Sequence, residues 1–413
     1  MKRTLSLLTL GLLIACGETA ESAPQGQDDT GAAPAKKEAK APDSESKLDR
    51  AAVQQAVDKG IEWLRSQAGP GGMYMAEFKG QKFPSPAHTA LALAPISMEL
   101  PKDKRATDEL VAGATAFLLK CQRPDGAIDA GDQSKYENYY TSATLMALAI
   151  VDDAKTADAR EKMKKFILSL QRLEDERIKG GFGYNTAKSA DLSNAQYAVE
   201  ALRTAGVSED DPAMKRLLVF LERTQNRSEN ANNKDAKYEL EGKKIVPGND
   251  GSAGYEPGVS KAGMHRLPDG TYVPRGYGSM TYALLKCYVL VGLKADDPRV
   301  KATLAWLGDN YTWEENPGFQ DIAKETNRPE APYWGLLYYY MTAAKALRLV
   351  DADMLETPDG KRDWRVDLAA AIIKRQSADG SWKNDKADRW QENDPLIGTG
   401  YALIALQEIL GKE

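Results

Sequence analysis

The chain has 413 residues, 42% of them hydrophobic, with 55 basic and 60 acidic side chains and a formal charge of −5. That balance argues against nucleic acid as a partner and against a membrane surface reached through a polybasic patch. The length suffices for two average domains, and length alone does not say whether there are one or two.

The chain opens "MKRTLSLLTLGLLIACGETA". Lys2 and Arg3 form a positive n-region, and Leu5 to Ala15 is an apolar run too short to span a bilayer as a helix. The pattern predicts a secretion signal over residues 1–15. Leu13-Ile14-Ala15-Cys16 resembles a bacterial lipobox, which implies cleavage before Cys16 and lipid on that residue. The expected location is the bacterial cell envelope, with the protein exported from the cytoplasm and held to the membrane by that lipid. Loss of Lys2 and Arg3 with the signal takes the formal charge from −5 to −7. Residues 16–47 are rich in Ala, Pro, Gly, Lys, Asp, Glu and Ser and contain no aromatic, a composition that cannot bury enough apolar surface to fold. They read as a flexible tether reaching roughly 30 Å.

Residues 48–413 read as six copies of one unit. Each has an amphipathic helix, a Gly-rich turn and a second, far more apolar helix, as in "ATAFLLKCQRPDGAI" followed by "NYYTSATLMALAIV", or "LAAAIIKRQSADGSW" followed by "DPLIGTGYALIALQEIL". The first helix is expected half-exposed and the second buried on all sides. Short loops make neighbours antiparallel. The pattern predicts an all-α (α/α)6 toroid, six helical hairpins in a closed ring with the apolar helices inside; an open solenoid would need polar capping repeats at its ends. A polar amide recurs at the end of each first helix: Gln67, Gln122, Gln171, Gln225, Asn310 and Gln376. It is expected to bond that helix's last carbonyls while the following glycine turns the chain and an aromatic such as Trp382 packs on it. Cys121 and Cys287 lie in different repeats and read as buried free thiols.

"QSADGSW", with "FLLKCQRPDGAI" and "FILSLQ", is similar to the repeat motif of the squalene cyclase and prenyltransferase superfamily. The likeness covers about residues 50–410 and is specific for the repeat, not for a reaction. Cyclases of that superfamily protonate their substrate from an Asp-x-Asp-Asp motif at the start of an inner helix. The best match here is Asp191-Leu192-Ser193-Asn194, in which only the first Asp agrees and can equally be a helix N-cap. The pairs at 152–153, 210–211 and 296–297 fall between repeats. Protein prenyltransferases of the superfamily hold zinc. This chain has two histidines, His88 and His265, and no metal-ligand spacing, so neither a metal nor any other cofactor is expected. The resemblance therefore implies an isoprenoid or similar amphiphile as ligand, bound without turnover by either known route.

Parallel inner helices would bring their N-termini to one side, a setting suited to an anionic head. The candidates entering that site are His88, Tyr139, Tyr140, Asn194, Tyr277, Tyr282, Tyr333, Trp334 and Tyr338, with Asp191 and Asp394 as candidate acids. Tyrosine-rich walls can stabilise a carbocation or stack a sugar. An insertion at 226–275 in the fourth unit contains "HRLPDGTYV", expected as a hairpin, and offers Lys261, Arg266 and Arg275 as a lid over an anion. Two other readings remain open at this point: a carbohydrate-active (α/α)6 protein, and a non-catalytic scaffold of the envelope.

Overall fold

The computed structural model describes residues 47–78, 80–129, 136–185, 189–234 and 236–412. The signal, Cys16 and all of the tether but Lys47 lie outside the described residues. Among the described residues, twelve helices of ten residues or more alternate along the chain. The odd-numbered ones are α1 (Arg50–Gln67), α3 (Glu109–Lys120), α5 (Ala157–Ser169), α7 (Pro212–Thr224), α9 (Pro298–Asp309) and α11 (Trp364–Ile373). The even-numbered ones are α2 (Pro86–Glu99), α4 (Glu137–Val151), α6 (Leu192–Thr204), α8 (Gly278–Leu290), α10 (Leu336–Leu349) and α12 (Pro395–Leu410).

The odd helices start on a shared device. Asp49, Asp108, Asp211, Asp297 and Asp363 each accept a backbone N–H of the first turn of α1, α3, α7, α9 and α11, and proline follows in α7 and α9. This accounts for the Asp pairs at 210–211 and 296–297; Asp153 caps the short turn Ala154–Thr156 in the same way.

The even helices are buried nearly all round and pack on one another: α2 on α4, α4 on α6, α6 on α8, α8 on α10, α10 on α12, and α12 on α2. The odd helices lie outside them, each against one or two even helices.

The recurring amide works differently from the sequence expectation. Gln122 donates to the carbonyl of Ala159 in α5, Gln171 to Ala213 in α7, and Gln225 to Arg299 in α9. Each therefore reaches the first turn of the next outer helix, not the end of its own. Gln376 donates at 2.9 Å to Ala56 in α1, so the sixth unit bonds the first, and at 2.9 Å to Gly380. Only Asn310 bonds its own helix, at Trp306, and Gln67 bonds only Ser66. The outer helix's own last carbonyls go to the aromatic after the glycine: Trp382 Nε1 donates to Ile372 at 2.8 Å, and Tyr74 Oη to Leu64 at 2.9 Å. Gln376→Ala strands two carbonyls and should cost about 1–2 kcal/mol; a denaturant midpoint unmoved from wild type would show that the bridge carries no stability.

A second recurring contact was not read from the sequence. Thr89, Thr141, Thr281 and Thr399, in the first turns of α2, α4, α8 and α12, accept the backbone N–H of Tyr74, Ile128, Ala253 and Trp382. Each fixes its inner helix to the turn of its own unit.

Residues 226–275 carry β3 (Tyr238–Leu240), β4 (Lys243–Ile245), β5 (Met264–Arg266) and β6 (Tyr272–Pro274), after β1 (Met75–Phe78) and β2 (Gln81–Pro84) and before β7 (Leu355–Thr357) and β8 (Gly360–Arg362). Sheet order is β3-β4-β6-β5. "HRLPDGTYV" forms the expected hairpin, with His265 opposite Val273.

Candidate active site

Two chambers lie among the even helices. The upper one, about 80 Å³, takes its wall from the N-terminal halves of α2, α4, α6, α8, α10 and α12 and from the loops that enter them. The lower one, about 510 Å³, is lined by the C-terminal halves of the same helices. Leu91, Ala143 and Tyr197 line both and form the partition. The even helices thus run parallel, as expected.

The upper wall is mostly apolar and aromatic. Of the candidates, His88, Tyr139, Tyr277 and Tyr338 line it. Tyr139 donates to Ser193 Oγ at 2.8 Å, and that oxygen lies 2.9 Å from Tyr338 Oη. Five other candidates do not line it. Tyr140 and Tyr282 are buried in the helix packing, Tyr282 stacked on Trp313. Asn194 is fully buried and donates to Asp191 at 2.8 Å. Trp334 packs between Phe319 and Trp390 with the Arg389 guanidinium 3.9 Å from its ring centroid, and Lys386 sits 4.0 Å over Tyr333. In each case the side chain satisfies neighbours instead of facing the cavity.

Both candidate acids are N-caps. Asp191 caps α6 through Asn194 N–H at 2.8 Å and is buried. Burial pushes its carboxyl up to about 7, against the Asn194 and Tyr255 hydrogen bonds that favour the ionised form. It does not line the cavity, but Tyr255 does, and Tyr255 Oη lies 2.5 Å from Tyr184 Oη. Asp394 caps α12 through Leu396 N–H and meets His88 Nε2 at 3.2 Å. Burial works against its ionisation, yet the His88 bond and the helix terminus hold it below the usual carboxylate range, so it is not an acid at neutral pH.

The group that the sequence reading missed is Glu392. It is 1% exposed and among the described residues is the one carboxylate lining the upper chamber. Its oxygens accept from Tyr338 N–H at 2.7 Å, Leu337 N–H at 3.2 Å and Asn384 Nδ2 at 3.0 Å. It thereby caps α10, which begins at the left-handed Gly335 with no side-chain cap of its own. Burial nonetheless pushes Glu392 up to about 7. The groups that bond it, the Leu336, Leu337 and Tyr338 N–H groups and the Asn384 amide, are all donors. Two consecutive left-handed residues, Trp390 (φ 63°) and Gln391 (φ 58°), deliver Glu392 to the chamber. Such non-glycine positions cost on the order of 1–3 kcal/mol each and persist where surrounding structure holds them. Here the Trp390 ring rests on Gly335, where a Cβ would come within 2.7 Å of it. The signal, a buried Glu two residues before an Asp-Pro helix start, is visible only once the loop is placed.

On the N-terminal side, five of the six even helices already have a side-chain acceptor at the first turn, and α4 has none among the described residues. Ser85, Asp191, Asp394, Glu392 and Asn316 already accept the free N–H groups of α2, α6, α12, α10 and α8. Arg275 pairs with Glu325, Lys261 lies over Tyr255, and Arg266 is exposed; none of the three lines the chamber. Among the described residues no three His, Cys, Asp or Glu side chains gather as metal ligands. Burial pushes the Cys287 thiol up to about 12 and the half-buried Cys121 thiol up to about 11, and both thiols are free.

No protein-family model matches the chain, and no curated protein matches it. Solved structures do. A substituted form of type II terpene cyclase MstE from Scytonema, in complex with geranylgeranyl dihydroxybenzoate, superposes with a TM-score of 0.51 at 12% identity, over 88% of this chain and 98% of that one. The same cyclase without ligand gives 0.50 at 13%, over 87% and 98%. A structure named as a glycosidase gives 0.47 at 13%, over 90% and 99%. At these identities the likeness establishes a mostly helical, toroid-type fold and nothing about the reaction.

Proposed function

We propose that this chain is an envelope-anchored lipoprotein whose twelve helices close into an (α/α)6 toroid, and that it binds an isoprenoid-like amphiphile there and protonates it from Glu392. Ring closure is supported by the Gln376–Ala56 bridge and by the packing of α12 on α2. The chemistry rests on one observation: Glu392, a buried carboxyl that burial pushes up to about 7, is the carboxylate among the described residues that lines an apolar, tyrosine-rich chamber. An upper chamber of about 80 Å³ admits one end of a chain, and the lower chamber across Leu91, Ala143 and Tyr197 has room for the rest.

The step is proton transfer to a terminal C=C. The alkene electron pair forms the new C–H bond, the O–H bond breaks, Glu392 is left as carboxylate and the more substituted carbon becomes cationic. Tyrosine and tryptophan faces stabilise that cation, and its charge is discharged by ring closure with proton loss or by capture of water. The MstE structures, with a geranylgeranyl compound bound in one of them, lend this reading support by fold. A sugar-cleaving site would present a second carboxylate to the same chamber, and a scaffold would fill it with side chains.

The deciding experiment incubates the protein in D2O with farnesol, geranylgeraniol and squalene. One deuterium on the former =CH carbon of the terminal isoprene unit is expected in a cyclic or hydrated product from at least one of them; no deuterium in any recovered product overturns the reading. Anchoring through Cys16 is tested separately: Cys16→Ser should take up no labelled palmitate and leave the membrane fraction, and a variant that still takes up label and stays with the membranes sinks the lipoprotein assignment.

A further inference from the structure

The lower chamber has an apolar wall, including Met98, Met146, Met341 and Ile404, and a charged end where, among the described residues, cations outnumber carboxylates. Glu200 of α6 accepts from Lys286 of α8 at 2.6 Å and from Lys345 of α10. Lys286 is 1% exposed. Two ammonium groups thus share one carboxylate in a setting where charges need partners. The other charges there are matched: Arg348 donates to Glu408 at 2.9 Å, and Lys412 to Glu99. Arg203 adds a further cation, its Nη1 on the Val207 carbonyl and its nearest carboxylate, Glu209, 3.8 Å away. The volume, about 510 Å³, lies in the range of small-molecule sites, roughly 300–1,000 Å³.

We infer that the lower chamber is a head-group site for a single-chain carboxylate amphiphile, its carboxylate meeting Lys345 where it lines the chamber beside Glu200, with Lys286 buried behind them, and its chain running up along the methionines toward Tyr197. This reverses the orientation expected from the helix N-termini: the head lies at the C-terminal end, and the far end of the chain points toward Glu392. The inference rests on the protonation reading only for the nature of the tail. A straight-chain fatty acid and an isoprenoid acid offer the same head, and the choice between them falls to the experiment.

Calorimetry on the whole chain with farnesoate, farnesol, hexadecanoate and hexadecanol reads both. Each acid should bind at least about tenfold tighter than its alcohol, the worth of a charge-assisted hydrogen bond. A preference for farnesoate over hexadecanoate marks an isoprenoid source, and the reverse a fatty-acyl source. Lys345→Gln leaves Glu200 and Lys286 as a neutral pair, so the fold is not strained, and it should erase the acid-over-alcohol difference. Met146→Trp fills the apolar wall without touching a charge and should weaken acid and alcohol alike. Glu392→Gln should leave acid binding as in wild type. Acids and alcohols that bind equally, or acid binding that follows Glu392 and ignores Lys345, overturns the site. Neither result touches the protonation reading, which is scored by deuterium incorporation.

Discussion

Gly180→Ala should destabilise the protein by about 3–5 kcal/mol, among the largest effects available from one methyl group. Gly180 has φ +89°, and a Cβ there would overlap the Arg216 carbonyl of α7. The contact recurs: Gly72 faces Leu110 of α3, Gly126 faces Lys162 of α5, Gly251 faces Ala302 of α9, and Gly380 faces Lys59 of α1. In five of the six units, then, the turn glycine presses its Cα onto the backbone of the next outer helix, beside the glutamine bridge where the unit has one. The cost has two parts, a left-handed backbone and a steric clash with a carbonyl that cannot swing away. Gly206→Ala separates them. Gly206 shares a positive φ, +81°, but a Cβ there meets nothing within 4 Å, so it should lose only about 1 kcal/mol. Guanidinium titrations with unchanged slope measure both. Equal losses at the two positions would mean that backbone strain alone explains the motif and that the units do not lock through this contact. Gly380→Ala, with its Cβ 2.6 Å from the Lys59 carbonyl, should fall between them if the sixth and first units are joined in the same way as the others.

The alternation of outer and inner helices was legible because burial leaves a periodic mark: α7 mixes charges with Leu217, Phe220 and Leu221, whereas α12 is apolar nearly all round, with Glu408 its one charged side chain. The Gln–Gly turn was legible as a repeat but not in its role. Nothing local in "QSADGSW" says that Gln376 reaches Ala56, 320 residues earlier in the chain. The same limit governed the site. Tyrosines at inner-helix starts were visible, but rotation about each helix axis decides which of two neighbours faces the chamber, and so Tyr139 lines it while Tyr140 does not. The acids were sought at helix starts because the resemblance pointed there. Asp191 and Asp394 are spent on caps, and the acid comes from the loop in between, where Glu392 caps a helix that is not its own. The charge of the lower chamber was hidden for a further reason. Lys286 and Lys345 look in sequence like ordinary surface lysines, and only the packing of α6, α8 and α10 shows them sharing Glu200.

Glu392→Gln should lower turnover by about 10²–10⁴-fold, the usual worth of a positioned general acid, while the amphiphile still binds. Glutamine keeps the shape of the side chain and an oxygen for Tyr338 N–H, so α10 remains capped and a loss of turnover is not a loss of fold. The pH dependence gives an independent readout. With a folded-state carboxyl near 7, turnover should be flat below that pH and fall about tenfold per unit above it, as the donor proton is lost. Stability carries the same signature with a definite sign. Below the ordinary carboxylate range both folded and unfolded chains hold this proton, and the group contributes nothing to the pH dependence. Between that range and about 7 the folded protein keeps a proton that the unfolded chain has released, so stability declines as pH rises through this window. Asp191, also raised to about 7, declines in parallel and remains in the variant. Glu392→Gln should therefore remove the high-pH limb of turnover entirely but only part of the pH dependence of unfolding. A variant that retains wild-type turnover, or one whose residual turnover still falls above pH 7, would place the acid elsewhere, and Asp191 acting through Tyr255 would be the next group to replace.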